Sequence, residues 1–209
     1  YTGAFTKAGT GTQTLTGSNS YTRGTTISGG TLQLGDGGST GSLSTSSVIT
    51  NNGTFAINRS NAVTQGTDFS GAAITGTGSF TQNGTGTTTL TAANTYTGTT
   101  TVNAGTLVAS NESALGASSG AITASGGTLD LGGNGFLRTG LVTISGGTVT
   151  NGTINNNTAT NFAAQSGTVA AILAGSAGLT KSGTGTLSLT AANTYSLSLI
   201  HISEPTRPY

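Results

Sequence analysis

The residues whose types and order could support nucleophilic catalysis are Ser118, Asp130 and His201. Ser118 lies in Gly116-Ala-Ser118-Ser-Gly120, which fits the Gly-x-Ser-x-Gly pattern of serine hydrolases, and Asp130 and His201 follow in the chain order usual for that fold. The pattern works at a strand-to-helix turn, but no helical periodicity occurs in this chain. In a sequence this rich in Gly and Ser the match is expected by chance, so we predict no hydrolase site.

Carboxylates are too few and too scattered to predict a glycan-cleaving site. Outside residues 196–209 the acids are Asp36, Asp68, Glu112 and Asp130. Polysaccharide lyases built on β-helices need several Asp residues clustered with Arg or Lys on one face. Asp36 lies among glycines, which is typical of a turn, and Asp130 alternates with leucines, which is typical of an outward strand position. We therefore predict that the protein is not an enzyme.

A metal site is also not indicated. Gly132-Gly-Asn-Gly135 approaches the calcium-binding nonapeptide, but Leu137 stands where that motif requires Asp, and no tandem copy follows. The chain has no cysteine and only one histidine, so no set of ligands has zinc spacing. We predict neither a metal ion nor an organic cofactor.

Composition narrows the structural class. Charged residues make up 5% of the chain, far below the roughly 25% of ordinary soluble domains. Glycine (36 residues) shows no three-residue period and proline occurs twice, which excludes collagen. The net charge of +1 comes without a basic cluster, so no nucleic-acid partner is expected. The longest apolar run, Val169–Ala174, is too short for the roughly 20 residues of a transmembrane helix.

The chain is organised around a repeated stretch. Phe80–Leu107 recurs nearly intact at Phe5–Leu32, and a third copy runs from Leu179 to Tyr195. The positions that keep their offsets, or that we expect to shape the corner, are Gly11, Gly86 and Gly185; Leu15, Leu90 and Leu189; Asn19, Asn94 and Asn193; Tyr21, Tyr96 and Tyr195; and Gly98. We interpret them as structural repeat positions.

A weaker pattern connects the copies. Glycine followed by Thr or Ser and an apolar residue recurs every 20 to 27 residues from Gly30 to Gly167. This is about one turn of a parallel β-helix, whereas a propeller blade needs roughly 40 residues. We predict an all-β fold, a single-stranded parallel β-helix (β-solenoid) of about nine coils without caps.

The second copy predicts how one coil is built. Thr87–Thr91 and Thr99–Asn103 alternate as strands do, which places Leu90, Val102 and Leu107 inward. Between them, Asn94 suits a left-handed or Asx-turn conformation, Gly98 suits a positive φ, and the Tyr96 ring can cover the bend. The asparagine position is therefore interpreted as a turn, not as a binding site.

This pattern resembles the passenger-associated transport repeat of bacterial autotransporters. Its signature is Gly-Thr-Gly-Thr-x-x-Leu-Thr-x-x-Asn-x-Tyr-x-Gly. The first two copies match it throughout, except that the first copy has Arg23 in place of the last glycine of the signature. The third copy matches as far as Tyr195. The resemblance implies a right-handed β-helical passenger exported by type V secretion and displayed on the bacterial outer-membrane surface. It also implies an outer-membrane β-barrel translocator as partner, encoded beyond this chain, with an N-terminal signal peptide.

The last residues depart from the repeat. After Tyr195 the signature calls for Thr-x-Gly, but residues 196–209 contain the only histidine and both prolines. We interpret 196–209 as a non-native tail that resembles translated sequencing-adapter read-through. Residues 1–195, with repeat units at 5–34, 80–109 and 179–195, are interpreted as a passenger fragment, since the chain also begins at Tyr1 and not at Met.

The resulting functional prediction is a structural and adhesive stalk that folds vectorially during export and contacts host or neighbouring cells. Two alternatives stay open. Acids clustered on one solenoid face would favour a secreted β-helical carbohydrate-active enzyme. An unbroken array of threonines would favour an ice- or surface-binding solenoid.

Overall fold

A computed structural model describes residues 2–160, 162–195 and 200–201, the last pair by backbone alone. Within these ranges the fold is all-β. No helix among the described residues is long and apolar enough to cross a membrane. The strands are β1 (Phe5–Lys7), β2 (Thr12–Leu15), β3 (Thr25–Ile27), β4 (Thr31–Leu34), β5 (Ile49–Asn51), β6 (Thr54–Ile57), β7 (Val63–Thr64), β8 (Ser79–Gln82), β9 (Thr87–Leu90), β10 (Thr100–Val102), β11 (Thr106–Ala109), β12 (Ile122–Ala124), β13 (Thr128–Asp130), β14 (Gly135–Leu137), β15 (Val142–Thr150), β16 (Thr153–Asn155), β17 (Phe162–Val169), β18 (Ile172–Gly175), β19 (Leu179–Lys181), β20 (Leu187–Leu189), β21 (Thr194–Tyr195) and β22 (Ile200–His201).

All the strand pairs are parallel, and a strand inside a stack pairs with one strand of the coil before it and one strand of the coil after it. The longest stack, here called face 2, runs β2, β4, β6, β8, β10, β12, the first part of β15, the first part of β17, β19 and β22. These ten levels, spaced about 4.8 Å apart, confirm the predicted parallel β-solenoid of about nine coils. The right-handed winding and the absence of caps stay predictions.

Two further stacks complete the coil. Face 3 runs β7, β9, β11, β13, the second part of β15, the second part of β17 and β20. Face 1 contains β1, β3 and β5 at one end and β14, β16, β18 and β21 further along. Between those groups, face 1 continues as irregular segments joined by backbone hydrogen bonds, from Thr97 N to Gly76 O and from Thr139 N to Ser118 O. Each coil therefore passes over face 1, face 2 and face 3 in turn.

The core is a set of inward side-chain columns, as strand alternation predicts. Leu90, Val102 and Leu107 are fully buried, which confirms their predicted inward orientation. On face 2, Phe55 pairs with Phe80 in register, and their ring centroids lie 5.9 Å apart at 69°. Edge-to-face contact of this kind stabilises an aromatic pair beyond its buried area.

The repeat copies do not all occupy the same face. Phe5–Lys7 starts the first copy on face 1, whereas the equivalent residues Phe80–Gln82 and Leu179–Lys181 lie on face 2. The first copy is thus displaced by one face. The change falls in the 27-residue step from Gly78 to Gly105, because Gly78 precedes a face 2 strand and Gly105 precedes a face 3 strand. The copies of the repeat therefore do not all begin on the same face of the solenoid.

The interpretation of residues 196–209 stays a prediction. Of these, the structure describes only the backbone of Ile200 and His201, which pair with Thr180 and Lys181 on face 2. Residues 196–199 and 202–209 lie outside the described residues.

Candidate functional site

The repeat tyrosine belongs to a buried cluster. Tyr96 is fully buried, and its hydroxyl lies 2.7 Å from Oγ1 of Thr100. Its ring stacks on Phe80, with centroids 6.4 Å apart at 29°. Burial raises the pKa of Tyr96 to about 12, although the Thr100 hydrogen bond and the Arg138 charge lower it in part. The tyrosine thus closes the corner from inside, with its polar tip satisfied by the next strand.

The first copy repeats this cluster at the same offsets. Tyr21 stacks on Phe5 at 5.7 Å and 19°, and its hydroxyl lies 3.1 Å from Oγ1 of Thr25. Tyr21 is only half-buried, and burial again raises its pKa. In the third copy Tyr195 is half-buried and the aromatic partner is replaced by Leu179. The Phe–Tyr–Thr combination is therefore a repeat feature of the first two copies.

The repeat asparagine joins coils instead of forming an isolated turn. Asn94 is 1% exposed. Its Oδ1 accepts hydrogen bonds from the backbone N of Ile74 (2.8 Å) and from Nε2 of Gln65 (2.9 Å), and its Nδ2 donates to the carbonyl of Ala114 (2.8 Å). Of the two conformations expected at Asn94, the left-handed one is not adopted, since its φ is not positive. The side chain bridges the coils on either side of its own.

The other two repeat asparagines make parts of this pattern. Asn19 donates through Nδ2 to the carbonyls of Gly17 and Ser42, both at 3.0 Å. Asn193 accepts from the backbone N of Leu173 at 2.8 Å, as Asn94 does from Ile74 one coil back. Both are half-buried. These contacts are structural. In Asn94 in particular, the polar atoms of the side chain are all used in hydrogen bonds within the protein.

The repeat glycines are required by stacking distance and not by the φ that the sequence suggested. The predicted positive φ at Gly98 is wrong. A Cβ at Gly98 would instead collide with the carbonyl oxygen of Gly78 in the coil below, and a Cβ at Gly86 with that of Asn61. At Gly185 it would come within 2.6 Å of Ser166 Cβ, whereas at Gly11 it would meet nothing within 4 Å. No described coil lies beneath the one that contains Gly11, so no contact constrains this position in the described structure.

The repeat leucines point into the core. Leu90 is fully buried and pairs with Ala109 on face 3. Leu15 and Leu189 are half-buried and pack against the core from the two ends of the described solenoid. All three thus occupy an inward column.

Sequence reasoning missed a polar residue that each copy directs inward. Lys7, Gln82 and Lys181 occupy the same repeat offset, two residues after the initial Phe or Leu. Each donates to the carbonyl of the first glycine of the following turn: Lys7 Nζ to Gly9 O (2.9 Å), Gln82 Nε2 to Gly84 O (2.8 Å) and Lys181 Nζ to Gly183 O (2.7 Å). Strand alternation would have revealed it, because a polar residue stands at an inward parity position in all three copies.

In the second copy this polar residue has a buried partner on face 3. Gln82 and Thr88 are both fully buried, and Thr88 Oγ1 donates to Gln82 Oε1 at 2.6 Å. Buried polar groups that are fully paired favour one packing arrangement over its alternatives. The pair therefore fixes how faces 2 and 3 meet in this coil.

The hydrolase-like residues are not brought together. Asp130 Oδ1 accepts from Gly132 N and Asn151 Nδ2, both at 2.8 Å. Asp130 lies in the coil whose face 2 strand is β12. His201 lies in β22, four levels further along face 2, and the distance between these levels is about 19 Å at the usual strand spacing. Ser118 lies in the irregular part of face 1. The described backbone positions are therefore too far apart for His201 to form a triad with Asp130.

The acids do not form a cluster either. Asp68 pairs with Arg59 at 2.9 Å, and Asp36 Oδ1 accepts from Gly38 N at 3.2 Å within a turn. Among the described residues no group of three or more His, Cys, Asp or Glu side chains could hold a metal ion. In Gly132–Gly135, the Asn134 amide instead donates to the Ala109 carbonyl at 2.9 Å.

Outward threonines form one continuous column on face 3. Strand register aligns them from β9 to β17, and they are Thr87, Thr106, Thr128, Thr148 and Thr168. The neighbouring outward column is interrupted, because Val108 and Asp130 follow Thr89. A flat two-column array is therefore absent from this face of the described coils, and the observation does not favour the ice-binding alternative.

Comparison with known proteins agrees with the repeat geometry. The family described as passenger-associated-transport-repeat matches residues 5–34, 80–109 and 179–196. A curated relative, the adhesin BmaC autotransporter of Brucella suis biovar 1 (strain 1330), is 37% identical over 134 residues. The match covers 51% of this chain but only 4% of the relative's length. No solved structure gives a significant match.

The three family matches coincide with the three copies found in the sequence, and the solenoid gives each of them the same internal contacts. These findings confirm the resemblance drawn from the sequence. The chain carries three passenger-associated-transport repeats and is similar in sequence to a bacterial autotransporter adhesin.

Proposed function

We propose that this chain is part of a surface-exposed, non-enzymatic stalk whose repeats support folding during export across the outer membrane. The observation that carries the proposal is the pairing pattern. The strands pair in parallel with strands of adjacent coils, about 17 to 25 residues away in sequence. Stability in such arrays is close to a sum of nearest-neighbour terms, so folding can propagate one coil at a time.

The glycine contacts support the same mechanism. A Cβ at Gly86 or Gly98 would collide with backbone of the preceding coil, so these positions permit close docking of each new coil on the last. Each docked coil offers an open strand edge to the chain that follows. Export of an unfolded chain can thus be coupled to growth of the rod at the cell surface.

The partners follow from this role. The first is an outer-membrane β-barrel translocator, which we expect in a part of the parent protein that this chain does not contain. The second is the surface of a host or neighbouring cell, as the adhesin name of the relative suggests. The matched part of the chain spans about 4% of that relative's length.

The export role can be tested by fusing residues 5–195 between a signal peptide and an autotransporter translocator. We expect surface display of a protease-resistant rod. Gly86→Val with Gly98→Val should interrupt stacking and leave a protease-sensitive or stalled passenger. Gly11→Val is the matched control, because a side chain there meets no neighbour. Equal display of a resistant rod by all three proteins would contradict the proposal.

The adhesive role needs a separate measurement. Bacteria that display residues 5–195 should attach to epithelial cells, or to one another, more than bacteria that display the translocator alone. If they do not, this segment acts as a spacer, and adhesion belongs to another part of the parent protein.

A further inference from the structure

A cavity opens on face 1 between two consecutive coils. Its volume is about 230 Å³, and its walls include Glu112, Ser113 and Ser118 from one coil and Leu137 and Arg138 from the next. Ligand sites for drug-sized molecules span about 300–1,000 Å³. This cavity is therefore suited to a single sugar-sized group.

Arg138 is an unusual wall for such a cavity. The side chain is 2% exposed, and within the described residues no carboxylate lies at ion-pair distance from it. Its guanidinium donates to three carbonyl oxygens, of Leu115 (3.0 Å), Gly116 (3.3 Å) and Ala117 (3.0 Å). Its buried Nε has no hydrogen-bond partner among the described residues.

The carbonyls compensate Arg138 only in part. A buried guanidinium loses much of its hydration, and neutral carbonyl dipoles restore less than a carboxylate does. Burial accordingly lowers the pKa of Arg138. The other described buried arginine, Arg59, is satisfied differently, by an ion pair with Asp68. Arg138 thus lacks a carboxylate counter-charge such as the one that Arg59 has.

The remaining wall groups define what else a ligand should carry. The exposed side chains of Ser113 and Ser118 offer hydroxyls that can donate or accept, and exposed Glu112 offers acceptor oxygens only. Leu137 is 58% exposed and supplies an aliphatic edge. A ligand therefore needs an anionic end toward Arg138 and hydroxyl donors toward Glu112.

We infer that this cavity binds a hydroxylated carboxylate, of the uronic-acid type found in acidic glycans. The carboxylate would lie against the Arg138 guanidinium, and the sugar hydroxyls would contact Glu112 and the two serines. This is a binding site without a reaction, since neither a second acid nor a histidine lines it. The inference does not depend on the stalk function, which stands whether or not the cavity is occupied.

The experiment is a titration of the 209-residue chain with three probes, followed by ligand-observed NMR and calorimetry. Sodium glucuronate should bind, and methyl glucoside, which lacks the charge, should bind at least about tenfold more weakly. N-acetylglycinate carries one carboxylate, as glucuronate does, but no sugar hydroxyls, and it should also bind about tenfold more weakly. Equal binding of N-acetylglycinate would overturn the assignment to a sugar acid.

Variants locate the binding and separate it from folding. Ser118→Phe fills the cavity from an exposed wall and should abolish glucuronate binding, whereas Ser119→Phe, also exposed but not in the wall, should not. Both should keep the wild-type thermal unfolding. Arg138→Lys should also weaken binding, but this change removes packing contacts as well. The comparison of Ser118→Phe with Ser119→Phe is therefore the decisive one. If glucuronate does not bind, or binds equally to Ser118→Phe, the inference is wrong.

Discussion

The hydroxyl of Tyr96 lies 2.7 Å from Thr100 Oγ1, and both side chains are fully buried. Thr100 Oγ1 also donates to the carbonyl of Leu115 at 3.3 Å, so Tyr96 donates to Thr100. The chain of hydrogen bonds thus connects one corner to its own following strand and to the next coil. Because the repeat keeps Tyr and Thr four residues apart in its first two copies, this relay is part of the repeat itself.

Removing the Tyr96 hydroxyl should destabilise the solenoid modestly. Tyr96→Phe keeps the ring on Phe80 and leaves Thr100 bonded to Leu115, so we expect a loss of about 0.5–1.5 kcal/mol in the free energy of unfolding. Tyr96→Ala should cost roughly 3–5 kcal/mol, because it also leaves a cavity. Urea unfolding followed by circular dichroism measures both. Tyr21→Phe, at the half-buried equivalent, should lose less than Tyr96→Phe, and the reverse order would contradict the importance of burial.

The same tyrosine should make stability depend on alkaline pH. Its pKa is about 12 in the folded protein against 10.0 for the free group, a difference of about 2 units. The unfolded chain therefore loses this proton first. The stabilisation is fully present below about pH 10 and is lost progressively up to about pH 12, by roughly 3 kcal/mol in all.

The measurement compares wild type with Tyr96→Phe. Wild type should lose its advantage in unfolding free energy as pH rises above 10.0 and should be less stable than Tyr96→Phe at about pH 12. Tyrosinate absorbance should show that the variant has one fewer tyrosine than wild type that ionises at the upper end of this pH range. Parallel pH profiles would mean that Tyr96 ionises without penalty and is not buried as described.

Two glycines at the same repeat position should respond in opposite ways to substitution. Gly86→Ala places a methyl group against the backbone of Asn61, whereas Gly11→Ala meets no atom within 4 Å. We expect Gly86→Ala to cost about 1–3 kcal/mol. Gly11→Ala should be neutral or slightly stabilising, because it restricts the unfolded chain. Similar losses at both sites would show that backbone conformation, and not stacking distance, selects glycine here.

Much of this architecture could be predicted because repeats report periodicity directly. The apolar alternation around Leu90 and Val102 located the inward columns, and the 20- to 27-residue spacing gave the length of a coil. The one-face displacement of the first copy could not be predicted. The change falls in the step from Gly78 to Gly105, and three similar faces accept the same sequence pattern.

The roles of the residues at the repeat positions were harder to predict, because those roles depend on neighbouring coils. Asn94 and Gly98 have residue types that are typical of turns, but their contacts are with other coils. Sequence patterns within one coil give local conformation and say little about the coil stacked on it. The site walls at Ser118 and Arg138 likewise come from separate coils 20 residues apart and share no motif.

Asn94 should be the most sensitive of the repeat asparagines. Asn94→Ala removes one of the two acceptors of Gln65 Nε2 and takes the Asn94 partner from the backbone N of Ile74 and the carbonyl of Ala114 in a buried site, so we expect a loss of about 3 kcal/mol. Asn19→Ala is the matched control, and since Asn19 is half-buried it should lose under about 1 kcal/mol. Thermal unfolding distinguishes them. A ligand-binding role for Asn94 would instead leave stability unchanged.

The buried pair of Gln82 and Thr88 should show strong coupling. Thr88→Val keeps the shape but leaves Gln82 Oε1 without its 2.6 Å donor, at a cost of about 1–3 kcal/mol. Gln82→Leu removes that acceptor and also the contacts to the Gly84 and Gly86 carbonyls. In the double variant no side-chain acceptor is left unpaired at this point. Its loss should therefore fall short of the sum of the single losses by about 0.5–3 kcal/mol.

A double-mutant cycle measured by urea unfolding tests this coupling. The cycle also separates two roles for polar groups in the core. If the pair sets the arrangement of faces 2 and 3, the double variant should remain folded but lose its sharp, cooperative transition, because an apolar interior tolerates more than one packing. If the pair contributes only hydrogen-bond energy, cooperativity should match wild type. Additive losses would show that the two side chains act independently, and the inward polar position of the repeat would then serve its turn carbonyls alone.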